Sequence, residues 1–374
     1  MYLDNASTTP LLPEVKKEII RWLDEFGNPS SAHQEGRIVK TKIEDVRVKV
    51  AQFIGGNTDN VIFTSSGSAS NSLVINGLDD SYLFLYTPTC HKSMRLACEY
   101  KPCHCAVEMT NNGLIDYEWL KNYIKNIWYR KIVFCYEMVN SEIGVCQNNE
   151  EIKRIIKGKN GIIVADATAY VPHYSLHANY EGADFYTFSA HKIGALKGVG
   201  VVYYNSMENI KPLVYGSQER GLFGGTENVI GIISLGKATE YWYKYSRQCK
   251  ILAHYLSDEI ITQIPDSYEI TSDFDDKVSN IMMFCFKGVR GEELLELLNE
   301  DGYFVSTGSA CNSGSLELSP TLLSIRMPES DIPCCLRISL CGSEDVTEIK
   351  EFINSLKKNV NKLRTFGDAY EKEI

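Results

Sequence analysis

The order in which apolar stretches recur is the strongest constraint on what this chain can fold into. Short apolar runs lie at Val61–Phe63, Tyr82–Tyr86, Lys131–Tyr136, Gly161–Asp166, Ala183–Ser189 and Gly198–Tyr204. Between them, and ahead of the first, apolar residues fall every three or four positions, over 14–26, 36–54, 116–127 and 149–157. The first pattern is a strand signal and the second a helix signal. Strands that alternate with helices need crossovers, which predicts an α/β fold with a largely parallel sheet covered on both faces. A longer helical pattern covers 235–263, with Pro265 behind it. After it the order changes to strand 278–286, helix 291–300, strand 302–306, a Gly/Ser loop, strand 334–340 and helix 345–363. That tail predicts a smaller α+β unit.

Composition removes several function classes. A length of 374 residues suits two to three domains, and 23% charged with 44% hydrophobic residues excludes disorder as the main state. Lys and Arg number 38 against 48 Asp and Glu, so the net charge of −10 disfavours a direct nucleic-acid binder working through a basic field. The opening Met1-Tyr2-Leu3-Asp4-Asn5 lacks the basic-then-apolar pattern of a secretory leader. No apolar run approaches the ~20 residues that cross a bilayer. The 12 cysteines are therefore expected to be reduced thiols in a cytoplasm.

Several residues sit where chemistry is done. Asp166 ends an apolar run, and strand ends face the ligand crevice of a parallel sheet, although an Asp there also serves as a helix N-cap. Lys192, in Ser189-Ala190-His191-Lys192, follows the next run and precedes a Gly-rich turn. Desolvation would make it a competent amine, whereas most lysines are surface charges. Together, a strand-end Asp and a strand-end Lys are what pyridoxal 5'-phosphate requires: an amine for the aldehyde and a carboxylate for the ring nitrogen. The stretch Thr64 to Ser70, with Ser68 inside it, reads as an anion cradle at a helix start or as a capped serine turn. His91 could stack on a planar ring and move protons, or be a satisfied loop histidine. Arg337, in an apolar strand pattern, needs an anion, either a substrate carboxylate or an internal acid. Cys311 lies among small residues in Ser306–Ser315, which suits a travelling nucleophile or an incidental thiol. Cys90, Cys98, Cys103, His104 and Cys105 lack zinc spacing, and no metal site is expected.

These residues occur within Tyr2 to Pro10, Phe26-Gly27-Asn28-Pro29-Ser30-Ser31, Val139-Asn140-Ser141-Glu142-Ile143-Gly144, Ser189 to Lys192 and Ser309-Ala310-Cys311. In that order they resemble the cysteine desulfurases, class V aminotransferases of the fold-type I pyridoxal-phosphate enzymes. The resemblance runs from residue 2 to about 363. The loop at Cys311 is similar to that of the group feeding iron–sulfur cluster assembly and tRNA thiolation. The other group's Arg-x-Gly-His-x-Cys motif is absent.

The resemblance implies a large cofactor-binding domain at 14–245 and a small domain of 1–13 with 246–374, the latter carrying the Cys loop and Arg337. It implies Lys192 as the Schiff-base lysine, Asp166 as the ring-nitrogen partner and His91 as the stacking and proton-transfer residue. Ser68, Ser189 and His191 would bind the phosphate, with Thr226 reaching across a homodimer. Asn140 would contact cofactor and substrate, and with Arg337 would hold the carboxylate of L-cysteine. Cys311 would take the sulfur as a persulfide, yielding L-alanine, and pass it to a scaffold or sulfurtransferase. Three departures stand out: Ala69 for the family's Glu, Ala169 for its Gln, and Phe223-Gly224 for its Arg-Ser. They leave room for two other readings, a class V aminotransferase or C–S lyase acting on a different amino acid, and a degenerate partner subunit.

Overall fold

The structure, a computed structural model, describes residues 1–127, 131–205, 210–271, 276–308 and 318–371, without side chains at 244–247 and 366–371. Seven strands form the central sheet: β1 (Val61–Thr64), β2 (Leu83–Tyr86), β3 (His104–Ala106), β4 (Ile132–Glu137), β5 (Ile162–Asp166), β6 (Phe185–Ser189) and β7 (Gly200–Tyr204). Their order is β1-β7-β6-β5-β4-β2-β3. β7 pairs antiparallel with both neighbours, and the pairings from β6 to β3 are parallel.

Among the described residues of the same part of the chain, the α-helices are α1 (Pro13–Trp22), α2 (Gln34–Phe53), α3 (Gly67–Gly77), α4 (Lys92–Glu99), α5 (Tyr117–Lys125), α6 (Asn149–Lys157), α7 (Ala178–Glu181) and α8 (Val229–Ala238). Strand side chains alternate in direction, and the cores follow. Phe134, Ile163, Ala165 and Val201 pack with residues of α1, α2, α5, α6 and α8. Their neighbours Val133, Cys135, Ile162, Val164 and Val202 pack with α3 and α4. Burying one large apolar side chain contributes about 1.5–3 kcal/mol, so a sheet covered on both faces accounts for runs that are apolar throughout.

The remaining chain builds α9 (Tyr243–Gln263), β8 (Ser267–Ile270), β9 (Ile281–Phe286), α10 (Gly291–Glu300), α11 (Pro320–Ser324), β10 (Cys335–Ser339) and α12 (Val346–Glu371). Its antiparallel sheet runs β10-β9-β8. Leu3 joins this second core with Leu256, Phe284, Leu294, Leu336 and Phe352, and Asp4 bridges to Ser339. Among the described residues no helix is long and apolar enough to cross a membrane.

Four elements differ from the sequence reading. The helix expected over 235–263 is two, α8 and α9, separated at 239–242. The Thr239 hydroxyl bonds back to the Gly236 carbonyl, and Trp242 packs edge-on against Phe53 with centroids 5.4 Å apart. A hydroxyl that competes for backbone carbonyls favours such a break. β3 and β8 lie at sheet edges and lack apolar runs, which hid them. The strand expected at 302–306 is reduced to single bridges, Phe304 to Tyr2 and Ser306 to Arg337.

Candidate active site

Alternation along β4, β5 and β6 carries Glu137, Asp166, Thr187 and Ser189 to the face covered by α3 and α4, near the carboxyl ends of these strands. Asp166 is 5% exposed. It accepts hydrogen bonds from Asn71 Nδ2 at 2.8 Å and from the Thr168 N–H at 2.9 Å. The second bond is a local turn bond of the kind a capping Asp makes; the first is tertiary. Asn71, on α3, also accepts from Thr187 Oγ1 at 2.6 Å and donates to Ser93 Oγ at 3.1 Å. Ser93 Oγ lies 2.7 Å from His91 Nδ1. Asn71 and Ser93 thus join the strand-end carboxylate to the histidine. His91 caps α4 and keeps an exposed edge. The protein packed around its ring still disfavours the imidazolium: desolvation lowers its pKa, Asp166 opposes and Lys192 adds.

Glu137 pairs in register with Asp166 and is 4% exposed. Desolvation pushes its pKa well up, and the Asp166 charge pushes the same way, against the hydrogen bond from Asn140. It accepts from Asn140 Nδ2 at 2.5 Å. The second Nδ2 bond of Asn140 goes to the Thr89 carbonyl at 3.2 Å, while its Oδ1 accepts from the N–H groups of Glu142 and Ile143. Asn140 therefore spends its amide on holding its own turn.

Lys192 lies in the short turn after β6, which Gly194 closes at φ 80°, where a Cβ would also strike Leu12. Its Nζ donates to the carbonyls of Ala6 and Ser7, the latter at 2.9 Å. Burial foremost, then the charge of Arg337, lowers its pKa from 10.5 to about 8, against the pull of Asp4 and Asp166. Beside it, the His191 ring meets Thr8 Oγ1 at 3.0 Å. Desolvation, with Lys192 and Lys197, drops the His191 pKa to about 4.

At the head of α3, Ser66 Oγ accepts from the Ala69 N–H at 3.0 Å. A Cβ on Gly67 would stand 3.2 Å from Ser189 Cβ and 3.5 Å from Thr168 Oγ1, so glycine lets the helix start close on both hydroxyl residues. Ser68 is exposed one residue on. Leading N–H groups without intrahelical acceptors, together with these hydroxyls, suit a phosphate. With a buried carboxylate and a desolvated amine nearby, the donor set fits pyridoxal phosphate.

Arg337, on β10 and 6% exposed, donates from Nη1 to the Ser141 carbonyl at 2.9 Å. Its Nη2 donates to Asp4 Oδ1 at 2.8 Å and to Ser7 Oγ at 2.7 Å. Charges thus link Lys192 to Asp166, Arg337 and Asp4, and His91 to Asp166 and Lys192. Thr226 is not part of this group; it is exposed in the loop before α8. Cys311 lies outside the described residues, but the chain on either side of its loop converges on Glu142. Ser319 Oγ donates to Glu142 Oε1 at 2.7 Å, and a Cβ on Gly308 would stand 2.6 Å from the same oxygen. A cavity of about 330 Å³ adjoins Lys192, lined among others by Asn5, Ala169, His173, Trp242 and Cys341.

Sequence reasoning missed Asn71, Glu142 and Asp4 as site residues. Asn71 had one signal, an amide two residues ahead of Leu73-Val74-Ile75 in a helix. Glu142 and Asp4 were inside quoted motifs without a role. The described cysteines are free thiols. Burial raises the pKa of Cys90, as it does that of Cys249, which suits core residues rather than nucleophiles. Among the described residues no group of three or more His, Cys, Asp or Glu could hold a metal ion.

Residues 1–352 match the family model Aminotransferase class-V. The chain is 34% identical to a cysteine desulfurase IscS of Dictyoglomus turgidum, over 100% of this chain and 97% of that one. It is 32% identical to a cysteine desulfurase IscS of Methanosarcina thermophila, over 100% and 95% of the two chains. A solved NifS-like protein from Rickettsia africae superposes with a TM-score of 0.89 at 27% identity, covering 96% of this chain and 99% of that one. SspA, solved in complex with cysteine, superposes with a TM-score of 0.80 at 25% identity, covering 92% and 99%. The family model, the relatives and the fold agree, and this chain belongs to the class V aminotransferase family, among its cysteine desulfurases.

Proposed function

We propose that the protein is a pyridoxal-phosphate-dependent cysteine desulfurase that converts L-cysteine to L-alanine and carries the sulfur as a persulfide on Cys311. The observation that carries this reading is the gathering of a desolvated amine, Lys192, with Asp166, His91 and Arg337 at one end of the sheet.

When bound, pyridoxal phosphate supplies an electron sink for the substrate's Cα. Lys192 is the residue that would hold it covalently and move the Cα proton, its amine brought by burial to a pKa of about 8. Asp166, fixed by Asn71, would keep a proton at the ring nitrogen. His91, oriented through Ser93, would stack on the ring and exchange protons. Ser68, Ser189 and His191 would hold the phosphate at the helix start that Gly67 opens. Arg337 takes the substrate carboxylate. Asn140 acts through its turn, which presents the Ser141 carbonyl to Arg337. The Cys311 thiolate would then attack the substrate sulfur; an S–S bond forms, the C–S bond breaks with its electron pair left on the substrate carbon, and a proton taken up at that carbon gives alanine.

The acceptor is a scaffold or sulfurtransferase serving iron–sulfur assembly or tRNA thiolation, and a reducing cytoplasm protects a persulfide from being trapped as a disulfide. The protein acts as a homodimer in which Thr226 completes the partner's phosphate site. Thr226 is exposed, and Leu213, Val214 and Tyr215 nearby in sequence are 36%, 43% and 87% exposed. The division into 14–245 and 1–13 with 246–374 is supported by Leu3 packing in the core of α9 and α12.

The test is incubation with L-cysteine, assayed for alanine and for persulfide by mass spectrometry. Lys192→Ala is expected to lose the cofactor's absorption band and at least about 10²-fold of the rate. Cys311→Ser keeps the band and forms no persulfide. Undiminished sulfur release by Cys311→Ser would overturn its role. A second reading, another amino acid as substrate, has the cavity at Ala169 in its favour; faster turnover of a bulkier sulfur amino acid than of L-cysteine would support it.

A further inference from the structure

The guanidinium read above as the substrate's carboxylate site already holds a carboxylate. Arg337 Nη2 donates to Asp4 Oδ1 at 2.8 Å, and Ser7 Oγ steadies that oxygen at 2.9 Å while accepting from the same Nη2 at 2.7 Å. The two side chains are 7% and 19% exposed. Arginine binds a carboxylate bidentately along an edge, and the edge formed by Nε and Nη2 is half used here: Nε is buried and has no acceptor. An internal acid therefore covers one donor of a two-donor edge and leaves the other idle. Asp4 cannot move away as a segment, because the Ser339 N–H donates to the Leu3 carbonyl at 2.7 Å and the Asn5 N–H to the Ser339 carbonyl at 3.3 Å. These bonds fix its backbone to β10, the strand that carries Arg337. Its side chain can leave by rotating about its own bonds.

We propose that Asp4 is a positioning residue of the carboxylate site, an internal stand-in that keeps Arg337 paired and oriented until the substrate's α-carboxylate takes Nε and Nη2 in its place. A buried unpaired guanidinium is costly, so the stand-in keeps the empty site folded, and the incoming carboxylate gains the second hydrogen bond that Asp4 does not make. The same exchange selects for substrate: a ligand lacking a carboxylate cannot displace Asp4 and gains nothing from Arg337.

The proposal rests on Arg337 as the carboxylate site, and the test separates the two. Binding of L-alanine and of ethylamine, which is alanine without its carboxylate, is measured by calorimetry on the cofactor-loaded enzyme, alongside KM and kcat for L-cysteine. Asp4→Asn removes the competing charge and is expected to tighten L-alanine and lower KM by about tenfold, with ethylamine unchanged. Ser7→Ala, which loosens Asp4, acts in the same direction by about threefold. Unchanged or weaker L-alanine binding in both variants overturns the proposal, as does an equal gain for ethylamine. Should Arg337→Ala leave L-alanine binding intact, the assignment of Arg337 itself fails; weakened binding in Arg337→Ala together with no gain in Asp4→Asn refutes the stand-in alone.

Discussion

His191 and His173 are both uncharged at neutral pH, because burial lowers each pKa from 6.5 to about 4. In the unfolded chain each takes up a proton as pH falls through 6.5, whereas the folded protein takes it up only near 4. Stability therefore falls with acidification across that window. His191→Gln is expected to flatten the acid limb of a stability-against-pH curve by up to about one proton, read from urea midpoints between pH 7 and 4. An unchanged slope would mean that the His191 ring is solvated. Lys192 runs in the alkaline direction: between pH 8 and 10.5 the unfolded chain holds a proton that the folded chain has released, so this group adds stability as pH rises there. Lys192 and Asp166 were legible because each follows an apolar run, and burial is what gives such residues chemistry. Arg337 was legible as a cation in an apolar strand, but Asp4 carried no signal of its own and nothing marked the two as a pair. Their contact spans almost the whole chain, and no local pattern records it.

Among the elements, the turn 139–144 does more than its sequence suggests. Asn140 builds the turn, Ser141 presents a carbonyl to Arg337, and Glu142 receives both sides of the Cys311 loop. Glu142→Ala leaves the buried Ser319 hydroxyl without this partner, a loss of about 1–3 kcal/mol. It is expected to speed proteolysis between 308 and 319 and to lower sulfur transfer more than cofactor binding. A variant with wild-type cleavage and transfer would remove Glu142 from that role. Strand and helix existence was readable at β4, β5, α2 and α6, each of which has a buried face with a clean period. It was unreadable at β3 and β8, edge strands whose partners rather than their composition make them strands. The break between α8 and α9 was hidden because its apolar spacing continues through 239–242 while a hydroxyl and an aromatic contact decide the backbone.

For the molecule as a whole, the proposed dimer face carries a test. The loop that bears Thr226 is anchored inside its own subunit: Arg47 makes two 2.8 Å bonds to Glu219, which also accepts from the Phe63 N–H. A firmly held loop can present Tyr215 and Thr226 outward without a large ordering cost. Tyr215→Glu is expected to shift the protein from dimer to monomer in analytical ultracentrifugation and to weaken cofactor retention about tenfold, whereas Tyr100→Glu, equally exposed at 86%, does neither. A dimer that survives Tyr215→Glu would direct attention to another face.

From the sequence alone came the order of elements, the mostly parallel sheet, the strand-end position of Asp166 and Lys192, and the family motifs that tie them to one chemistry. These are local properties, since period, run length and turn residues act over a few positions. Only the tertiary structure decided that Asn71 holds Asp166, that Glu142 gathers both sides of the Cys311 loop, and that Asp4 occupies Arg337. Those pairings depend on which face each strand turns inward and on how two cores close against each other, and a buried charge or amide takes whichever partner that closure brings within reach.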